Sequence, residues 1–127
     1  MREIKFRAWD NVAFQMYHLG EEEDVVFTLG SSGIIATDIT KEEEEFQTLH
    51  HLKYMQYTGL RDRNGEEIYE SDIVQMKDHP FIHINGKREV YLNEWMELSA
   101  SGYLLNKVHK YGEVIGNIYE NPDLLNT

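Results

Sequence analysis

Cysteine is absent from the 127 residues, which removes disulfides, thiolate nucleophiles and Cys-ligated zinc in one step. Proline occurs twice, so no proline-rich linker divides the chain. Basic residues are scarce: Lys and Arg total 12 against 23 Asp and Glu, a formal net charge of −11. A field of that sign repels phosphate backbones and anionic membrane surfaces, so neither nucleic acid nor a membrane is an expected partner. No apolar run approaches the ~18 residues of a membrane span, and Arg2, Glu3, Lys5 and Arg7 charge the N-terminus where a secretory signal is apolar. A cytoplasmic protein is the expectation.

What remains is the composition of a folded domain. Hydrophobic residues make up 41% and aromatics 12%, too much apolar surface for a disordered chain. The length is that of one domain, 1–127, with two β subdomains meeting near residues 50–58 as the alternative. Much of the negative charge sits in two blocks, Glu21-Glu22-Glu23-Asp24 and Glu42-Glu43-Glu44-Glu45. Solvated charge aiding solubility is the plain reading, and a surface imitating nucleic acid for a basic partner is the sharper one.

The patterning is that of an all-β, mainly antiparallel protein with one short helix. Residues 3–9 alternate polar and apolar, placing Ile4, Phe6 and Ala8 on one strand face, and Asp10-Asn11 turns the chain into a first hairpin. Val25 to Leu29 and Ile34 to Thr37, joined by Gly30-Ser31-Ser32-Gly33, read as a second. The helix belongs near residues 41–52, capped by Thr40 with Glu43 completing a capping box, and with Phe46, Leu49 and Leu52 as an apolar stripe. Beyond it come a strand from Tyr54, a type I turn with glycine bulge at Asp62-Arg63-Asn64-Gly65, and a strand–kink–strand across Glu70-Ser71-Asp72. A further hairpin is read around Asn85-Gly86, pairing Phe81–Ile84 with Lys87–Leu92 and facing His83 with Arg88. Trp95–Leu98 is ambiguous between strand and turn, whereas Tyr103–Leu105 and Val114–Tyr119 read as closing strands. After Pro122, Leu124 and Leu125 fold back or meet a second copy of the chain.

Chemistry-bearing residues form no convincing constellation. The serines at 31, 32, 71, 99 and 101 lack the glycine-flanked elbow of a hydrolase, and no glycine-rich loop leads into Lys-Ser or Lys-Thr to cradle a phosphate. Asp78, His79, His83 and His109 are the available metal-ligand types, but residues 79 and 83 stand roughly 13 Å apart at strand rise. Adjacent His50 and His51 point apart on a helix. Glu66, Glu67 and Glu70 flank Tyr69 as carboxylates abundant enough to be neighbours without function. Trp9, Tyr17, Tyr54, Tyr57, Tyr69 and Tyr119 suit core packing better than base stacking. No catalytic residue, cofactor or metal is assigned.

Three stretches together resemble the YopX family of bacteriophage and prophage proteins. Residues 1–10, MREIKFRAWD, resemble its opening; residues 55–74, MQYTGLRDRNGEEIYESDIV, its central signature; residues 114–125, VIGNIYENPDLL, its closing one. Two departures stand out. Ser71 occupies a position where the family pattern commonly has Gly, so the backbone there is expected to avoid a conformation reserved for Gly, and the first turn, Asn11 to Phe14, is less charged than usual. The resemblance implies a barrel-containing β fold and a phage product made in a bacterial cytoplasm, and it carries over no activity, cofactor or catalytic residue. A non-enzymatic module that binds another protein, with self-association as a further expectation, is the leading function. Its rivals are an acidic decoy and a metal-dependent hydrolase built around His79, His83 and His109.

Overall fold

A computed structural model describes residues 4–31, 33–77, 79–80 and 85–126. Eleven strands are described: β1 (Phe6–Asp10), β2 (Gln15–His18), β3 (Val25–Gly30), β4 (Gly33–Asp38), β5 (Gln47–Leu49), β6 (Lys53–Arg61), β7 (Glu67–Tyr69), β8 (Asp72–Met76), β9 (Gly86–Leu92), β10 (Leu98–Ala100) and β11 (Gly112–Asn117). Every pairing described between them is antiparallel, and one short helix, α1 (Leu105–Val108), accompanies them, so the all-β class expected from the alternation holds. Packing divides the chain into two compact units, the first Lys5–Tyr54 and the second the chain from Met55 together with Ile4.

In the first unit β1 and β2 form the expected hairpin, with Ala8 opposite Tyr17, and β3 and β4 form the second, closed by Gly30 opposite Gly33. β5 adds to β4. A core forms where the inward positions meet: Ala8, Tyr17, Val25, Ala36 and Leu52, with Leu19, Phe27, Leu49 and Tyr54 packed around them. The strand face read from Ile4 starts later than its alternation implied, since Ile4 is 81% exposed. The helix expected over 41–52 shrinks to a single 3-10 turn, Glu43–Glu45, with no side-chain cap. The Thr40 hydroxyl donates to Asp38 Oδ1 at 2.6 Å rather than serving as the cap, and Gln47, Thr48 and Leu49 pair with β4.

In the second unit β9 lies between β8 and β10, and β8 also pairs with β11. Ile68, Val74, Met76, Val90, Ala100, Leu105 and Val108 make its core, all essentially inaccessible. The strand expected at Tyr103–Leu105 is a correction: Leu104 makes one isolated bridge to Ser99, after which Leu105 begins α1 and a 3-10 turn, His109–Tyr111, follows. Leu105 and Val108, three apart, both point into the core, which a strand's period of two does not permit. Phe81–Ile84, half of the hairpin read around Asn85-Gly86, lie outside the described residues, as does Asp78. After β11, Leu124 folds back as expected: a Cβ on Gly116 would stand 3.0 Å from its Cδ1 and closer still to the Asn121 side chain.

Candidate functional site

Three polar residues of the central and closing signatures, Asp62, Asp72 and Asn117, are buried, and each accepts from backbone amides. Asp62, 5% exposed, accepts at Oδ1 from the amides of Asn64 (2.8 Å) and Glu66 (2.9 Å), and at Oδ2 from Val114 (2.9 Å), tying the turn to β11. Gly65, with φ 81°, closes that turn in the left-handed conformation its lack of a Cβ allows. Asp72, 1% exposed, accepts from the Tyr69 amide at 2.7 Å. Asn117 Oδ1 takes the amides of Tyr119 and Glu120 at the end of β11. Ser71 overturns the expectation drawn from its departure. Its φ is 73°, so a serine holds the left-handed backbone that a glycine would hold at lower cost. The hydrogen bonds from its amide to Val90 O (2.7 Å) and from the Ile118 amide to its carbonyl (3.0 Å) hold the kink in place.

In the first unit Asp10 gathers a cluster that sequence spacing gives no way to find. Its Oδ1 accepts from the amides of Val12 (2.9 Å) and Ala13 (3.0 Å) and stands 2.7 Å from His51 Nε2; its Oδ2 accepts from the Tyr17 hydroxyl at 3.1 Å. A carboxylate oxygen accepts, so Nε2 carries the proton. Burial alone would raise the Asp10 carboxyl, but the Ala13 and Val12 amides, with His51 and Tyr17, hold it below the usual carboxylate range. Burial first, then the hydrogen bond to Asp10 and the charges of Asp10, Asp38 and Glu22, push the Tyr17 hydroxyl up to about 12. Among the described residues no hydroxyl bonds the other nitrogen of His51, so the dyad ties the 50–52 segment to β1 rather than priming a nucleophile.

The other residues singled out from sequence scatter. His109 Nδ1 donates to the Arg61 carbonyl at 2.6 Å, and the His79 ring lies 4.4 Å from that of Tyr111. Asp78 and His83 lie outside the described residues, among which no three His, Asp or Glu side chains gather as a metal requires. Glu67 reaches Arg61 at 3.6 Å, and Glu66 is exposed. Ser99 is buried, Ser101 is exposed, and Ser32 lies outside the described residues. Trp9, Tyr17, Tyr57 and Tyr69 are buried, with Tyr17 on Phe27 and Tyr57 on Tyr69. A groove of about 450 Å³ lies among Ile34, Ile35, Thr48, Leu49, His50 and Tyr54, and burial raises the Tyr54 hydroxyl.

The residues that reach outward are large and apolar. At the β9–β10 tip, Trp95 is 74% and Met96 77% exposed; at the β1–β2 tip, Phe14 is 77% exposed and meets Trp9 edge-on at 6.5 Å. The β9–β10 turn is a copy of the 62–66 turn. Asn93 Oδ1 accepts from the amides of Trp95 (2.9 Å) and Glu97 (3.0 Å), as Asp62 Oδ1 does from Asn64 and Glu66. The Met96 amide donates to Asn93 O and the Asn93 amide to Glu97 O, as Gly65 does to Asp62 and Asp62 to Glu66. The position held by Gly65 is held by Met96, with φ 60°. Of the stretch Trp95–Leu98, ambiguous in sequence, residues 95–97 are therefore turn and Leu98 begins β10; with no glycine to mark the turn, Asn93 was the available signal. Beside it, Leu60, Glu97, Leu98, Leu104 and Asn106 line a mostly apolar groove of about 250 Å³.

The model of the YopX protein family matches residues 5–126. The chain belongs to the YopX family. The buried Asp62, Asp72 and Asn117 thus lie inside the YopX match, as does the Trp95–Met96 tip. Its fold is shared by protein EF1440 from Enterococcus faecalis, whose crystal structure is 26% identical and covers 98% of this chain and 99% of that one with a TM-score of 0.65. No curated protein matches the chain. Among the described residues of this YopX family member, no helix is long and apolar enough to cross a membrane.

Proposed function

We propose that this YopX family member is a phage or prophage product that works in the bacterial cytoplasm as a non-enzymatic protein-binding β module. The observation that carries the reading is the division of labour among its side chains: buried Asp62, Asp72 and Asn117 bind backbone amides, while Trp95, Met96 and Phe14 stand in solvent on hairpin tips. Large apolar side chains held out on ordered turns are what protein interfaces recruit as anchors. Affinity capture from bacterial lysate, with and without phage infection and at two salt concentrations, tests it. A protein partner retained in stoichiometric amount at both salt levels supports the module. A turnover found in the purified protein and lost on changing one groove residue overturns it.

A second reading, the acidic decoy, draws on the first unit. The 21–24 and 42–45 blocks both lie there, where Lys5, Arg7, Lys41 and Lys53 are the basic residues, and Glu42 to Glu45 are all exposed. A decoy's partner leaves at the higher salt and upon neutralising those two blocks, because exposed charges are screened within about 8 Å at physiological ionic strength.

A further inference from the structure

We propose that the Trp95–Met96 tip and the groove beside it dock a basic segment of a partner protein, one that seats an apolar side chain in the groove and sets a lysine or arginine against Glu97. This rests on the protein-binding reading and gives it an address. The twin turns carry the argument. The same set of hydrogen bonds builds both, so geometry asks for glycine at the fourth position of each, and the 62–66 turn has it. At 93–97 that position carries Met96 in left-handed backbone, with its side chain 77% exposed and therefore returning little packing energy to the fold. Trp95 beside it, 74% exposed, is equally unrewarded. Such a sequence costs the isolated protein and gains where something covers the tip.

The chemistry of the occupant follows from what borders these side chains. Directly after Met96, Glu97 and Leu98 open the groove whose other walls are Leu60, Leu104 and Asn106. Its walls are mostly apolar, and its volume of about 250 Å³ holds one large side chain rather than a cofactor. Glu94 and Glu97, both exposed, bracket the tip. A surface with an apolar centre and a carboxylate rim selects a partner with an apolar residue flanked by cations, and a total charge of −11 favours its approach over that of a second copy of this chain.

The test uses the full chain in phage-infected bacteria, with a photoreactive benzophenone amino acid replacing Trp95, Phe14 or, as control, Lys110. The expected result is a covalent adduct from position 95 on a partner peptide that carries Lys or Arg beside an apolar residue. Its yield falls at least 5-fold in Glu97→Lys and in Met96→Gly. Purified Met96→Gly melts about 3–5 °C higher than the parent, so loss of folding does not account for its lost adduct. An adduct from position 14 with none from 95 overturns the tip and leaves the protein-binding reading standing; no adduct from any position overturns both. An adduct from 95 that Glu97→Lys leaves unchanged, or one on an acidic peptide, overturns the proposed partner chemistry. A Met96→Gly protein that melts no higher removes the strain argument and the proposal with it.

Discussion

Asp62 and Asn93 head turns with the same hydrogen bonds but different surroundings. Around Asp62 the bonds continue outward: its second carboxylate oxygen takes the Val114 amide at 2.9 Å, and the Arg63 amide donates to Gly112 O at 2.9 Å. Around Asn93 they stop, since every hydrogen bond described for it stays within residues 93–97. The first turn is buried at its head and has glycine where the backbone is left-handed. The second is half-buried at its head and exposed along Trp95 and Met96, and it carries methionine where the backbone is left-handed. One geometry thus serves as a brace in one place and as a mount for outward-facing side chains in the other, and the difference is legible in what each turn gives back to the core.

The largest expected effect separates the two heads. Asp62→Ala strips acceptors from three amides in and beside a buried site and costs about 3 kcal/mol, whereas Asn93→Ala strips two at an exposed tip and costs about 1 kcal/mol. Urea unfolding of the two variants measures both. Equal costs would mean that the Asp62–Val114 bond contributes nothing to holding β11, and the contrast between brace and mount would collapse.

Sequence reasoning reached the brace and missed the mount for the same physical reason. Asp62 to Gly65 announces itself through a glycine whose freedom the turn needs, and residues 1–10, 55–74 and 114–125 located the family. Asn93 to Met96 forms the same turn against the preference of its residues, so the local signal pointed elsewhere. Ser71 deceived in the same direction: the fold holds left-handed backbone there through Val90 and Ile118, neither of them near in sequence. The 41–52 window failed otherwise: its capping box does not form, because Thr40 bonds Asp38, and Gln47–Leu49 join the edge of β4 as β5. The Asp10–His51 contact joins residues 41 apart and had no local signature at all.

Exchanging the fourth residues breaks the comparison from both sides. Gly65→Met places a Cβ in left-handed backbone and costs about 1–2 kcal/mol, with open space around the new side chain and so no clash to add. Met96→Gly returns about 1 kcal/mol. Thermal melts of both report the sign directly, and a Met96→Gly protein less stable than the parent would show that the methionine packs after all.

A third turn tests whether the head group's charge matters. Asp10 heads the β1–β2 turn, with Phe14 left-handed at φ 54°. Its carboxyl is held below its unfolded-state value of 3.8, so its contribution is complete above that value and is lost as pH falls through the lower folded-state one. Tyr17 is displaced the other way: its contribution is complete below 10.0 and disappears as pH rises towards about 12. Melting temperature against pH is therefore expected to decline at both ends; Asp10→Asn removes the acid decline that Asp10 causes and only lessens the alkaline one, whose largest cause is the burial of Tyr17. Asn93, the head of the other turn, is itself uncharged, so Asn93→Ala leaves the profile's shape unchanged.

The smallest effect is the most discriminating. Ser71 shares with Met96 a left-handed backbone without glycine, yet its side chain makes no hydrogen bond among the described residues and lies half-buried away from any tip. Ser71→Gly relieves the same steric cost while adding conformational freedom to the unfolded chain, a net gain of about 0.5 kcal/mol. It is expected to raise the melting temperature slightly and to leave adduct formation from position 95 at the parent level. Met96→Gly relieves the same strain and lowers the adduct yield at least 5-fold. If both glycines stabilise and Met96→Gly alone loses the partner, the methionine is kept for what it presents; if both lose it, the partner responds to rigidity of the second unit rather than to the tip.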